Sequence, residues 1–323
     1  MKSAELSQSN SGRASPSVGE LLRPVSGELA ALFNDAPVPA GLAFAIGLPP
    51  PLWDPSEAPK IRAGAKLGLL AGPEVLRFDT VAALQSLARR AGMMVANTWG
   101  AKGLFNWADP HHMGTVGLQA DDFKLLNFHD LDLVIAIGAD PLESPDDAIG
   151  CEVLHVHPLQ IETLSIAPTT TEIKSLTKPP LFTAIADIAQ PGYLSEQTPR
   201  HPARCVMDVK RSVPPGGVVV VEPGLLGLWF ARTFPTETPG TIIVPAWSRP
   251  GAAAAIGLIA AIHGRHATVI TSSPMDEISA AIQEMGTQIE APVKIEQWGP
   301  TDIDLSKTAS LIAVAGEVLA WRT

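Results

Sequence analysis

Along the chain, apolar and polar positions alternate in two distinct rhythms, and the switches between them mark the elements. Val18 to Phe33 (VGELLRPVSGELAALF) places its apolar residues at helical spacing, which predicts one amphipathic helix. Leu42 to Leu48 (LAFAIGL) is a short apolar run closed by three prolines, which predicts a strand. Pro55 to Ala65 is read as a linker. From Lys66 the pattern becomes regular. KLGLLAGP predicts a buried strand, and Asp79 to Ala91 an amphipathic helix with Asp79 placed to cap it and Arg89 and Arg90 near its negative end. MMVANTW predicts the next strand, followed by a Gly- and His-containing loop to Leu118 and a helix over Asp121 to Leu126. LDLVIAIGADP and CEVLHVHP predict two further strands.

Strands and helices alternating at these lengths imply a parallel sheet covered on both faces. The same rhythm resumes after a helix over Pro180 to Ala189 and a polar, Pro-rich stretch. There GVVVVE, TIIVPAW, ATVITSS and APVKIEQW read as strands. Between them, helices are expected over Leu225 to Thr233, Gly251 to Ala261 and Met275 to Met285. The fold class is therefore α/β, with two three-layer, Rossmann-like, doubly wound domains and mainly parallel sheets. The expected organisation is a disordered leader (1–17), a short N-terminal piece (18–65), a central domain (66–190), a linker (191–213) and a second α/β domain (214–323).

Composition narrows the functions. With 23 Lys+Arg against 33 Asp+Glu and no cationic run, the chain lacks the clustered positive charge that releases counterions from nucleic acid. The longest apolar run, Gly251 to Ile262, is too short for a membrane span. The N-terminus has no apolar core of the signal-peptide kind. Cys151 and Cys205, far apart, make neither a disulfide framework nor a zinc site, so a reducing cytoplasm is the expected setting.

Candidate chemistry is sparse. His155 and His157, two apart on a strand, would point to one face as a two-histidine metal site requires, but no third ligand stands at a recognisable spacing. His111 and His112 lie on a loop after Asp109-Pro110. Nucleophile elbow, phosphate-loop lysine and dinucleotide fingerprints are missing from the sequence. Gly68, Ala71 and Gly72 end one strand, where a backbone could approach a pyrophosphate. Gly138-Ala139-Asp140 ends another, at the carboxyl edge where open α/β sheets bind ligands, and reads first as a structural turn.

Met94 to Pro145 resembles the central domain of thiamine-diphosphate-dependent enzymes of the acetolactate synthase type, through Thr98, Lys102-Gly103, Pro110 to Gly117 and Asp132 to Glu143. The segment from Val218 through Thr271 is similar to the start of the family's diphosphate-binding domain, and Leu21 to Pro51 resembles the tail of its pyrimidine-binding domain. The resemblance implies thiamine diphosphate and Mg2+ as cofactors, and FAD or ADP at the central-domain edge around Gly72, Thr98, Gly138 and Asp140. It also locates departures. Ser272-Ser273-Pro274 stands where the family has GDG, and Gln297-Trp298 stands near its Asn. Ser248-Arg249-Pro250, ahead of Gly251, replaces Gly-Met-Gly, and Glu222 replaces an Asp. Asp276 and Glu277 are expected on the first turn of a helix, facing elsewhere. With most of the pyrimidine domain and its activating glutamate missing from this sequence, a homo-oligomer could not supply that group. The resemblance thus implies a homologue with substituted cofactor positions, acting as a partner or regulatory subunit. The alternatives are half of a split enzyme completed by a pyrimidine-domain chain, and a nucleotide-binding protein. A homodimer, or a hetero-oligomer with such a chain, is expected.

Overall fold

The structure, a computed structural model, describes residues 15–53, 60–62, 64–167 and 176–321. Most of the expected leader and most of the 55–65 linker lie outside the described residues. Two all-parallel sheets organise the rest, as the alternating pattern predicts.

The first sheet has the order β3-β2-β1-β4-β5. Its strands are β1 (Leu67–Ala71), β2 (Val95–Thr98), β3 (His112–Val116), β4 (Leu133–Ile137) and β5 (Glu152–Val156). β4, reading LVIAI, is buried at every position, as expected for a central parallel strand with helices on both faces. The second sheet has the order β7-β6-β8-β9, from β6 (Val218–Val221), β7 (Ile242–Ile243), β8 (Ala267–Ser272) and β9 (Lys294–Trp298). Chain order reverses between β1 and β4 in one sheet and between β6 and β8 in the other. These are the crevices where open α/β sheets bind ligands.

Several expectations are corrected. Val18 to Phe33 forms two short helices, α1 (Val18–Leu22) and α2 (Gly27–Leu32), because Pro24 interrupts the ladder and each segment has its own serine cap. Ser17 and Glu20 make a capping box, so Ser17 belongs to the fold and not to a leader. The apolar run at 42–48 is helical, as α3 (Ala40–Ala45), a reminder that short apolar runs do not distinguish strand from helix. Asp79 caps nothing. It has a positive φ of 52° and follows an extra short helix, α4 (Glu74–Arg77), so that α5 (Val81–Ala91) starts after Thr80.

The loop expected to run to Leu118 contains β3, whose pattern is masked by its Gly and His residues but whose ladder with β2 pairs Asn97 with Thr115. The supposed linker 191–213 is largely helical. α8 (Pro180–Tyr193) runs through Pro191, and α9 (Pro202–Ser212) buries Ala203, Cys205, Val206 and Val209 on one face. The strand expected over 241–247 is reduced to β7. After α10 (Leu225–Thr233), α11 (Ala252–Ile262) and α12 (Glu277–Gln288), a final helix, α13 (Thr308–Ala315), comes from the apolar closing segment.

The two sheets share one core. Leu70, Trp99 and Phe123 from the first half join Trp229, Phe230 and Leu311 from the second in a single buried cluster. The N-terminal helices cover α11: Val18, Leu22, Phe33 and Leu42 are buried against Ala254 to Ala260. Among the described residues no helix is long and apolar enough to cross a membrane.

Candidate functional site

At the carboxyl edge of the second sheet, the chain turns away from β6 at Glu222 and from β8 at Thr271 and Ser272. Ser248, Gly251, Asp276 and Ser279 join Glu222 and Thr271 around a pocket of about 340 Å3. Of the residues singled out at the family's cofactor positions, Glu222, Ser248 and Gly251 line it, whereas Ser272 and Ser273 do not. Asp276, expected to face elsewhere, also lines it, because it caps α12 from outside the first turn. Glu277 does not.

The two carboxylates of this pocket, Glu222 and Asp276, are bonded to neighbouring N–H and hydroxyl groups. The Ser272 N–H donates to Glu222 Oε2 at 2.6 Å and the Thr271 hydroxyl donates to the same oxygen at 2.9 Å. Asp276 accepts the Ser279 N–H at 2.9 Å and its hydroxyl at 2.7 Å. Burial pushes the Asp276 carboxyl up, but the bonds from Ser279 and from the Gly251 and Ile278 backbone together more than offset it and hold the group below its ordinary value. Arg249, at the rim, is paired with Asp35 at 2.8 Å. Gly251 has φ 73°, and a Cβ there would stand 2.4 Å from Ile278 Cγ2, so Ile278 packs directly on this glycine. Gln297 accepts the Met275 N–H at 3.1 Å.

The crevice of the first sheet is closed still more tightly. A Cβ on Gly72 would lie 2.3 Å from both the Gly138 carbonyl oxygen and the Ala139 Cα, so the two strand ends touch through bare backbone. Gly138 has φ 58°, and its own missing Cβ would meet Glu74 and Pro158. Thr98 is fully buried. Of the four residues expected at a nucleotide edge, only Asp140 lines a cleft, one of about 420 Å3 between the first sheet, the N-terminal helices and the segment 242–247. Glu74 and Glu143 join it there with Arg77. Burial raises the Glu143 carboxyl to about 7, and the charge of Asp140 acts in the same direction. Glu74 is raised by burial and by Asp140 as well. The glycines meant to cradle phosphate are therefore packing glycines, and the cleft beside them is acidic.

The histidines do not form a metal site. β5 ends at Val156, so only His155 is on the strand, and its Nε2 contacts the Asp146 carboxylate at 3.0 Å. His157 lies beyond the strand end, where it accepts the Leu159 N–H and stacks on Trp53 at 4.2 Å between ring centres. His111 bonds Asp109 at 3.1 Å. No group of three or more potential metal ligands occurs among the described residues. Cys151 and Cys205 are free thiols.

Comparison with known proteins agrees with the geometry of the first sheet. Residues 58–187 match the family described as thiamine pyrophosphate enzyme, central domain. This segment belongs to that family. The central domain thus comprises the five-stranded sheet and extends into α8. A solved structure of a protein isolated from Mycobacterium smegmatis, described as a thiamin diphosphate-dependent enzyme, is similar in fold over more than the central domain. The TM-score is 0.56 at 16% identity, covering 73% of this chain and 50% of that one. The chain spans half the length of that structure. No curated protein matches the sequence.

A residue that sequence reasoning assigned only to the family motif also takes on importance. Lys102, of the Lys-Gly turn that follows β2 in the central domain, is buried beside Arg232 of α10. No local pattern signals that environment, because Arg232 is 130 positions away in sequence.

Proposed function

We propose that this protein is a thiamine-diphosphate-enzyme homologue that does not use the cofactor itself and acts as a partner or regulatory subunit. The observation that carries this reading is the bond from the Ser272 N–H to Glu222. A diphosphate at a strand–helix edge needs free backbone N–H donors and a metal to balance its charge. Here the donor is taken by a carboxylate of the same chain, and a second carboxylate is committed to Ser279. As built, the pocket does not fit a magnesium diphosphate. The cation that lines it, Arg249, is already paired with Asp35.

The reading is tested by titrating thiamine diphosphate with excess Mg2+ into the full chain in a calorimeter. No binding heat is expected, whereas micromolar affinity would overturn it. Light scattering reports whether the chain associates as expected of a subunit. Restoration of cofactor binding on mixing with an isolated pyrimidine-domain chain would favour the split-enzyme reading instead.

A further inference from the structure

Where β3 faces α8 and α10, a cavity of about 90 Å3 remains, with room for roughly six or more water-sized groups. Its walls are mostly apolar, from Leu181, Ile185 and Ala189 on α8 and Phe234 just beyond α10. Its polar end is formed by Lys102, His112, Thr115 and Arg232, and no Asp or Glu lines it. In a chain whose net charge is −10, that is a cationic end to an apolar pocket.

The cations of this region are not equivalent. Arg232 is matched by the buried Asp122. Lys178, close by, donates to the carbonyl oxygens of Asp109 at 2.7 Å and His112 at 2.5 Å. Lys102 has neither kind of partner. It is 6% exposed, no carboxylate lies within ion-pair distance among the described residues, and its one hydrogen bond is a long contact of 3.5 Å to Thr115 Oγ1. Beside it His112 is 7% exposed, and its Nδ1 has no partner. Buried polar groups are ordinarily satisfied, so a buried ammonium with only one long hydrogen bond at the end of a cavity marks the place of a missing acceptor. Burial, with Arg232 adding repulsion, brings Lys102 down to about 7. Burial, with Lys102 and Lys178 adding repulsion, brings His112 down to about 3, so its ring stays neutral.

We propose that this cavity binds a small monocarboxylate with a short aliphatic tail, its carboxylate toward Lys102 beside the neutral ring of His112, its tail among Leu181, Ile185 and Phe234. The site draws on both halves of the chain, since Lys102 and His112 belong to the central domain and Arg232 and Phe234 lie between β6 and β7 of the second sheet. Such a ligand would clamp the two halves. This site is separate from the sheet-edge pockets, and its existence does not depend on whether thiamine diphosphate binds.

The experiment is calorimetric titration of the full chain with pentanoate and, in parallel, with pentanamide, which has the same tail without the charge. Pentanoate is expected to bind and the amide to bind at least about tenfold more weakly. Above about pH 7, pentanoate binding is expected to take up a proton, read from the dependence of the heat on the buffer's ionisation enthalpy, because the carboxylate draws Lys102 back to its charged form. Lys102→Met, which places an apolar chain of similar length, is expected to weaken pentanoate roughly tenfold or more. Ala186→Phe, which fills the cavity from α8 and leaves Lys102 in place, is expected to do the same, so the test does not rest on one variant. Absence of pentanoate heat up to about 10 mM, equal binding of the amide, or unchanged affinity in both variants would overturn the proposal.

Discussion

Asp122 of α6 (Asp122–Leu125) and Arg232 of α10 form an ion pair that is fully buried between the two sheets. Their remaining capacity is used as well. The Asp122 carboxylate accepts the N–H groups of Leu118 at 2.8 Å and Gln119 at 3.1 Å. Arg232 also donates to the Thr115 carbonyl at 2.6 Å and to Gln119 Oε1 at 3.1 Å. A buried pair repays its desolvation only when its hydrogen bonds are complete in this way. Arg232→Met is therefore expected to lower stability by about 3–5 kcal/mol, because it strands a carboxylate that burial already disfavours. Urea unfolding measures the loss, and adding Asp122→Asn should recover part of it.

Glu143 accepts the Gly100 N–H at 3.0 Å and is buried at the edge of the central domain. In the native state its carboxyl keeps a proton up to about 7, against an ordinary value of 4.5. The native state therefore binds more protons between those values, and the stability that Glu143 contributes falls as pH rises from 4.5 to 7. Glu143→Gln holds the protonated shape at every pH. Denaturation midpoints measured across that window should lose this slope in the variant, and the variant should be the more stable protein at the neutral end.

Lys102 works in the opposite sense. Its native value of about 7 lies below the ordinary 10.5, so the unfolded chain binds more protons in that interval and stability rises with pH through it. Without ligand, Lys102→Met should raise the melting temperature near neutrality and flatten the rise between 7 and 10.5. An unchanged slope would place the titration on another group.

Gly72→Ala tests the closure of the first crevice. The added methyl would stand 2.3 Å from backbone atoms of Gly138 and Ala139, and neither backbone can yield without breaking the β1–β4 ladder. A loss of about 3 kcal/mol is expected in thermal or urea unfolding. A neutral effect would mean that the strand ends are free to part, as a ligand-binding crevice requires.

Much of the architecture was legible along the chain. Buried parallel strands such as LVIAI and VVVV are continuously apolar, and helices such as Val81–Ala91 show a single buried stripe, so neither needs a partner's identity to be recognised. The failures fell where local signals conflict. β3 is disguised by Gly114 and its histidines, α9 by a polar composition that hides a one-sided apolar face, and α3 by a length that suits either state.

The candidate sites divide along the same line. Residues at strand ends were identifiable because carboxyl edges of parallel strands follow from the α/β rhythm, and β6 and β8 do bring Glu222 and Ser272 together. The chain pattern alone could not say that Glu222 consumes the Ser272 N–H, that Gly72 and Gly138 touch, or that Lys102 lacks a counter-ion. Strand and helix identity depends on contacts a few positions apart, which periodicity records. Hydrogen-bond partners and charge balance depend on residues such as Lys102 and Arg232, which only the packing of the two sheets brings side by side.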